Sequence, residues 1–197
     1  MMVTVPRIAA VSYLDTVPFL YGVQHESSFR AELSLSDFPA VTEQFLRHEA
    51  DLALVPVHVV PTLADVRLVT GYCLSLAGRG AVDFLLEHEP GSPAGPLFAG
   101  EDAPLAVLLE TKKPVPYAVW VARAETDPDL SEWLQHALTY GLEHVWEAVV
   151  EYGYDRRPFD AYGHLTAIDC IFDNQKRRAL QKFWDSGLKV SPRANPG

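Results

Sequence analysis

The sequence predicts an α/β fold, and three observations carry the prediction. Apolar runs and helical periods alternate over the first sixty residues in the order strand, helix, strand. The run "ADLALVPVHVV" (residues 50–60) is almost unbroken, the pattern of a parallel strand covered on both faces. A later segment, "TDPDLSEWLQHALTYGLEHVWEAVVEY", carries one long apolar stripe at helical spacing, which a sheet can bury.

The elements follow in order. Residues 7–13 read as a buried strand that ends in the polar cluster Ser12, Tyr13, Asp15 and Thr16, and residues 16–23 as a short helix. The turn between them leaves backbone N–H groups unpaired at the helix start, which Asp15 or Thr16 can cap or a carboxylate can occupy. Residues 33–35 form a weak strand candidate, and Val41, Phe45 and Leu46 recur at helical spacing. Pro56 closes the strand of the 50–60 run, where the chain must turn.

Residues 87–104, "EHEPGSPAGPLFAGEDAP", hold prolines and glycines without a sustained period and read as a connector. "PYAVWVA" (residues 116–122) returns to strand character. In the long helix Asp127 is the N-cap and Pro128 the first helical residue. Its stripe runs Leu130, Trp133, Leu134, Ala137, Leu138, Leu142, Val145, Trp146 and Val149, with a bend or division expected at Gly141. A last helix spans residues 173–186, with Leu180, Phe183 and Trp184 inward and Gly187 as its stop, before a frayed tail.

Composition restricts the function. With 16 Lys and Arg against 26 Asp and Glu the net charge is −10, which excludes a partner held by its phosphate backbone. The basic run Lys176-Arg177-Arg178 reads as a solvated helix face. Cys73 and Cys170, with no C-x-x-C spacing, read as reduced, buried thiols. There is no secretory pattern and no apolar stretch long enough for a membrane, so the expectation is a cytoplasmic protein without membrane contact. Phosphate-loop, nucleophile-elbow and zinc-protease patterns are absent. Gly78-Arg79-Gly80 is a turn, and His136 and His144 lack partners at metal-ligand spacing.

Five segments in order, "RIAAVSYLDTVPFLYGV", "DLALVPVHVVP", "GYCLSLAG", "TKKPVPYAVWVAR" and "TYGLEHVWE", resemble the chorismate dehydratases of the futalosine route to menaquinone. The resemblance covers most of residues 7–80 and 111–147. It implies a type II periplasmic-binding-protein-like fold in which residues 1–76 and 114–197 form the first lobe. Residues 77–113 would be a connector and the remnant of a largely missing second lobe. The implied reaction is a lyase reaction that removes water from chorismate to give 3-[(1-carboxyvinyl)oxy]benzoate, with no metal and no organic cofactor. Its substrate is a small dicarboxylate. The resemblance places Ser12 and Asp15 as catalytic residues, and Ser12, Tyr13, Asp15, Thr16, Pro56 and Gly78 at the substrate. The chain departs from the family pattern in three ways. Asp15 stands where the family carries Asn, "GRGAVDFLLEH" lacks the family's Ser, and the stretch leading to "TKKPVPYAVW" is short. These departures imply an impaired dehydratase, a non-catalytic carboxylate-binding relative, or a relative that pairs with a second copy as a homodimer.

Overall fold

A computed structural model describes residues 5–28, 30–76, 115–153 and 158–185. Gly78, the connector, the expected second-lobe remnant and Gly187 lie outside these residues. Among the described residues five strands form one sheet: β1 (Arg7–Val11), β2 (Glu32–Ser36), β3 (Leu52–Pro56), β4 (Val66–Leu76) and β5 (Val115–Arg123), in the order β2-β1-β3-β5-β4. β1 runs parallel to β2 and β3, whereas β5 is antiparallel to both β3 and β4. The 50–60 run is therefore a central strand buried at all five positions, as its composition requires, but only one of its neighbours is parallel.

Among the described residues six α-helices accompany the sheet: α1 (Val17–His25), α2 (Phe38–Leu46), α3 (Pro128–Glu143), α4 (Val145–Glu151), α5 (Pro158–Ala167) and α6 (Asn174–Asp185). Ile8, Ala9, Ala10 and Val11 are all buried although successive side chains point to opposite faces, so both faces of β1 are covered. Asp37 caps α2 by accepting from the Ala40 N–H at 2.8 Å, and Asp127 caps α3 by accepting from the Asp129 N–H at 3.0 Å.

Several expectations are corrected. The long helix runs through Gly141 and breaks at His144, whose φ of −121° and ψ of 38° leave the helical region. Gly141 serves another purpose: a Cβ there would lie 1.8 Å from the Pro18 carbonyl oxygen, and one at Gly22 would lie 1.9 Å from that of Ala137. The two glycines let α1 and α3 cross backbone to backbone. Trp146, expected inward, is exposed and meets two rings of α5, Phe159 at a tilt and Tyr162 edge-on. Lys176 is not solvated; it is buried, and its Nζ donates to the Ile171 carbonyl and pairs with Asp169, both at 2.6 Å. Cys73 and Cys170 are free, buried thiols, and the Cys73 N–H donates to the Cys170 carbonyl at 2.9 Å.

Candidate functional site

The carboxyl ends of β1 and β3 and the amino end of β5 meet at one edge of the sheet, because Pro56 pairs with Ala118 and the Val57 N–H donates to the Tyr117 carbonyl at 2.9 Å. In an open α/β sheet this is the edge at which ligands bind. After Val11 the chain passes through Ser12 and Tyr13 into a 3-10 turn, Leu14–Thr16, and then into α1.

Thr16 knots this turn. Its hydroxyl accepts from the Tyr13 N–H at 2.9 Å and lies 2.8 and 2.6 Å from the Val11 and Tyr13 carbonyls, one of which receives its proton. The Thr16 N–H donates to the Tyr13 carbonyl and the Val17 N–H to that of Leu14, while Pro18 has no N–H. The Tyr13, Thr16 and Val17 N–H groups are thus taken up within the turn, and no side chain caps α1. Ser12 is exposed beside the turn. Tyr13 is buried with its ring edge-on to Phe38 at 5.5 Å, and Pro56 is buried at the end of β3.

Asp15 points inward. Its carboxylate has no exposed surface; Oδ1 lies 2.8 Å from His164 Nε2 on α5, and Oδ2 accepts from the Tyr117 hydroxyl on β5 at 3.2 Å. Burial pushes the Asp15 carboxyl up, and the hydrogen bonds and charge of His164 and Tyr117 offset this only in part. Burial, and then the neighbouring carboxylate, hold the Tyr117 phenol well above its usual range. The His164 side chain keeps 12% of its surface exposed, so of the three groups it alone meets solvent. Three elements distant in sequence therefore converge on one carboxylate, an arrangement suited to holding an imidazole in a fixed orientation.

Asp15, Thr16, Tyr13 and Pro56 come together at this edge, with Ser12 on its surface. Two members of the cluster, His164 and Tyr117, carry no sequence signal of their own. Tyr117 is one residue of an apolar strand, and His164 sits in a segment with no sustained stripe. Pro158 at the first helical position is the usable sign that α5 exists. An open hollow of about 390 Å³, lined by Val5, Gln24, Arg30 and Glu32 among others, lies at the opposite edge, by the amino ends of β1 and β2, and takes no part in this cluster. Among the described residues no three His, Cys, Asp or Glu side chains group to hold a metal, and no helix is long and apolar enough to cross a membrane.

No protein-family model matches the sequence, and no curated protein does. Solved structures do match it in fold. Protein AF1704 from Archaeoglobus fulgidus superposes with a TM-score of 0.64 at 13% identity, covering 93% of this chain and 98% of its own. The ligand-binding component of an ABC-type import system from Staphylococcus aureus gives 0.60 at 11% identity, covering 96% and 94%. The Candida albicans CA3427 gene product, described as exhibiting the generic periplasmic binding protein structural fold, gives 0.58 at 12% identity, covering 96% and 92%. The chain has a periplasmic-binding-protein-like fold.

Proposed function

We propose that this protein binds a small carboxylate at the Ser12–Thr16 edge, and that the carboxylate is chorismate, which it converts to 3-[(1-carboxyvinyl)oxy]benzoate and water. The observation that carries the reading is the position of the Ser-Tyr-Leu-Asp-Thr turn at the carboxyl end of β1, beside Pro56, in a fold used for small ligands. The order of the five segments that resemble the dehydratases supplies the substrate and the reaction. Ser12, exposed at this edge, is the hydroxyl placed to donate to a substrate carboxylate. The test is incubation of the pure protein with chorismate, followed chromatographically for the aromatic product. Product formation in proportion to enzyme supports the reading, and none at high enzyme concentration refutes it.

The sealing of the Asp15 carboxylate favours a second reading, a non-catalytic binder of small carboxylates. Titration calorimetry separates the two: heat of chorismate binding without product supports the binder.

A further inference from the structure

His58 stands where β3 leaves the sheet. β1 and β3 run parallel with Ala9 beside Ala53, so three residues further on Ser12 is level with Pro56, one strand away. The Val57 N–H still bonds to the Tyr117 carbonyl at 2.9 Å, and the Val59 N–H then turns back to the Pro56 carbonyl at 3.2 Å. Val57 and His58 are thus the corner residues of a tight turn at the same edge as Ser12. Val57 is fully buried, and His58 alone of the two keeps part of its surface exposed. The turn is also pinned by α6, whose Trp184 Nε1 donates to the Val57 carbonyl at 2.7 Å.

Thr16 and Asp15 spend their polar atoms within the protein, and His58 does not. Nδ1 of its ring is enclosed and unpartnered among the described residues, and Nε2 makes no hydrogen bond with them either. Burial lowers the pKa of the ring below its ordinary value, so the imidazole is neutral at pH 7. A neutral imidazole carries one ring proton. Nδ1 has no acceptor to receive it, so the proton belongs on Nε2, the nitrogen that is not enclosed. An enclosed nitrogen without a partner works against folding, and a phenyl ring would fill the same corner without that cost. The fold makes no use of the imidazole's polarity, whereas a solute at the edge can.

We infer that His58 is a contact of the ligand held at the Ser12–Thr16 edge, its Nε2–H donating to a carboxylate oxygen. The contact rests on the reading that a small carboxylate occupies this edge, and it makes no use of Asp15 or His164. Ser12 at the end of β1 and His58 at the end of β3 are then neutral donors on neighbouring strands. Their backbones are set before the ligand arrives, by the sheet and by α6. Donors of this kind recognise a carboxylate through hydrogen bonds strengthened by the ligand's own charge.

The test measures chorismate affinity by titration calorimetry, or as KM where chorismate turns over, in wild type, His58→Phe, His58→Gln and His58→Asn. Loss of a hydrogen bond to a charged group should weaken binding by about 10-fold or more in His58→Phe. The same variant should unfold in urea at the wild-type midpoint or above it, because the nitrogen it loses inside the protein has no partner. Weaker binding by a protein of undiminished stability separates a ligand contact from a packing role. A Gln amide reaches the place of Nε2 and an Asn amide that of Nδ1, so Gln should bind within ~3-fold of wild type and Asn as weakly as Phe. The Gln and Asn variants decide the matter if His58→Phe does not fold. Wild-type affinity in His58→Phe, or equal affinity in the Gln and Asn variants, overturns the contact and leaves the carboxylate reading standing. A wild type that neither binds nor converts chorismate at ~1 mM overturns that reading and the contact with it.

Discussion

Gly141→Ala sets two physical effects against each other. In a helix interior alanine is favoured over glycine by about 1 kcal/mol, so propensity alone predicts a stabler protein. The new Cβ, however, would lie 1.8 Å from the Pro18 carbonyl oxygen, about 1.6 Å short of the 3.4 Å at which ordinary contact begins. It would also lie 2.8 Å from the Pro18 carbonyl carbon and 3.0 Å from the Gly22 nitrogen. These neighbours are backbone and cannot turn aside as a side chain can. Overpacking typically costs about 1–3 kcal/mol, and a contact that pushes two helices apart belongs at the top of that range or above it. The net expectation is a loss of about 2 kcal/mol or more. With a urea dependence of about 2 kcal/mol per molar, the unfolding midpoint should fall by about 1 M. Gly163→Ala on α5 is the control, because nothing lies within 4 Å of its added Cβ. There propensity acts alone, and the midpoint should rise by up to ~0.5 M. A Gly141→Ala protein that unfolds at or above the wild-type midpoint, with the same urea dependence, refutes the close-crossing account.

Two further outcomes concern titratable groups. Burial raises the Asp51 carboxyl, but the Arg7 side-chain and backbone hydrogen bonds outweigh it, and its pKa is lowered on folding. A depressed carboxylate stabilises above its unfolded pKa, and the contribution is lost as pH falls through the folded value. Asp51→Asn should therefore cost up to ~1 kcal/mol at pH 7 for this partly exposed pair, and the gap to wild type should close as the pH falls below the ordinary carboxylate range; a gap unchanged with pH counts against the pairing. Burial pushes the Cys73 thiol up to about 12 and the Cys170 thiol higher still. A thiol reagent at pH 8 should label both slowly in the folded protein and quickly in denaturing urea, and fast labelling of the folded chain would show that these thiols are not enclosed.

The elements legible in the sequence are those whose burial follows a simple period. β3 is apolar at every position because both of its faces are covered, and α3 announces itself through Asp127, Pro128 and its stripe. β4 is harder to read because its pattern is broken in the middle: Thr70 has a φ of 69° and the pairing with β5 slips between Leu68 and Cys73. The role of Gly141 is hidden for a related reason, since a glycine that bends a helix and one that admits a neighbouring backbone look identical in one dimension. In the site, the Ser12–Thr16 turn is legible as a polar break between apolar runs, whereas its partners are not. His164 stands 149 residues from Asp15, and no local pattern records a pairing made by tertiary packing.

The Asp15–His164 contact also gives physical content to the one residue that fits an anionic ligand least well. Exposed, a carboxylate at position 15 would repel such a ligand; enclosed, with its oxygens bonded to the Tyr117 hydroxyl and the His164 ring, it presents no surface to one. An asparagine of the same shape could keep both hydrogen bonds, accepting from Tyr117 through its oxygen and donating to His164 Nε2 through its amide. The ring would then have to present Nε2 as the acceptor and carry its proton on the other nitrogen. The choice between Asp and Asn at this position therefore keeps the same partners and decides which tautomer they select: an ionised Asp takes a proton from Nε2, whereas an Asn amide takes the Nε2 lone pair. A single-atom difference in a sealed side chain thus sets the protonation pattern of a ring 149 residues away.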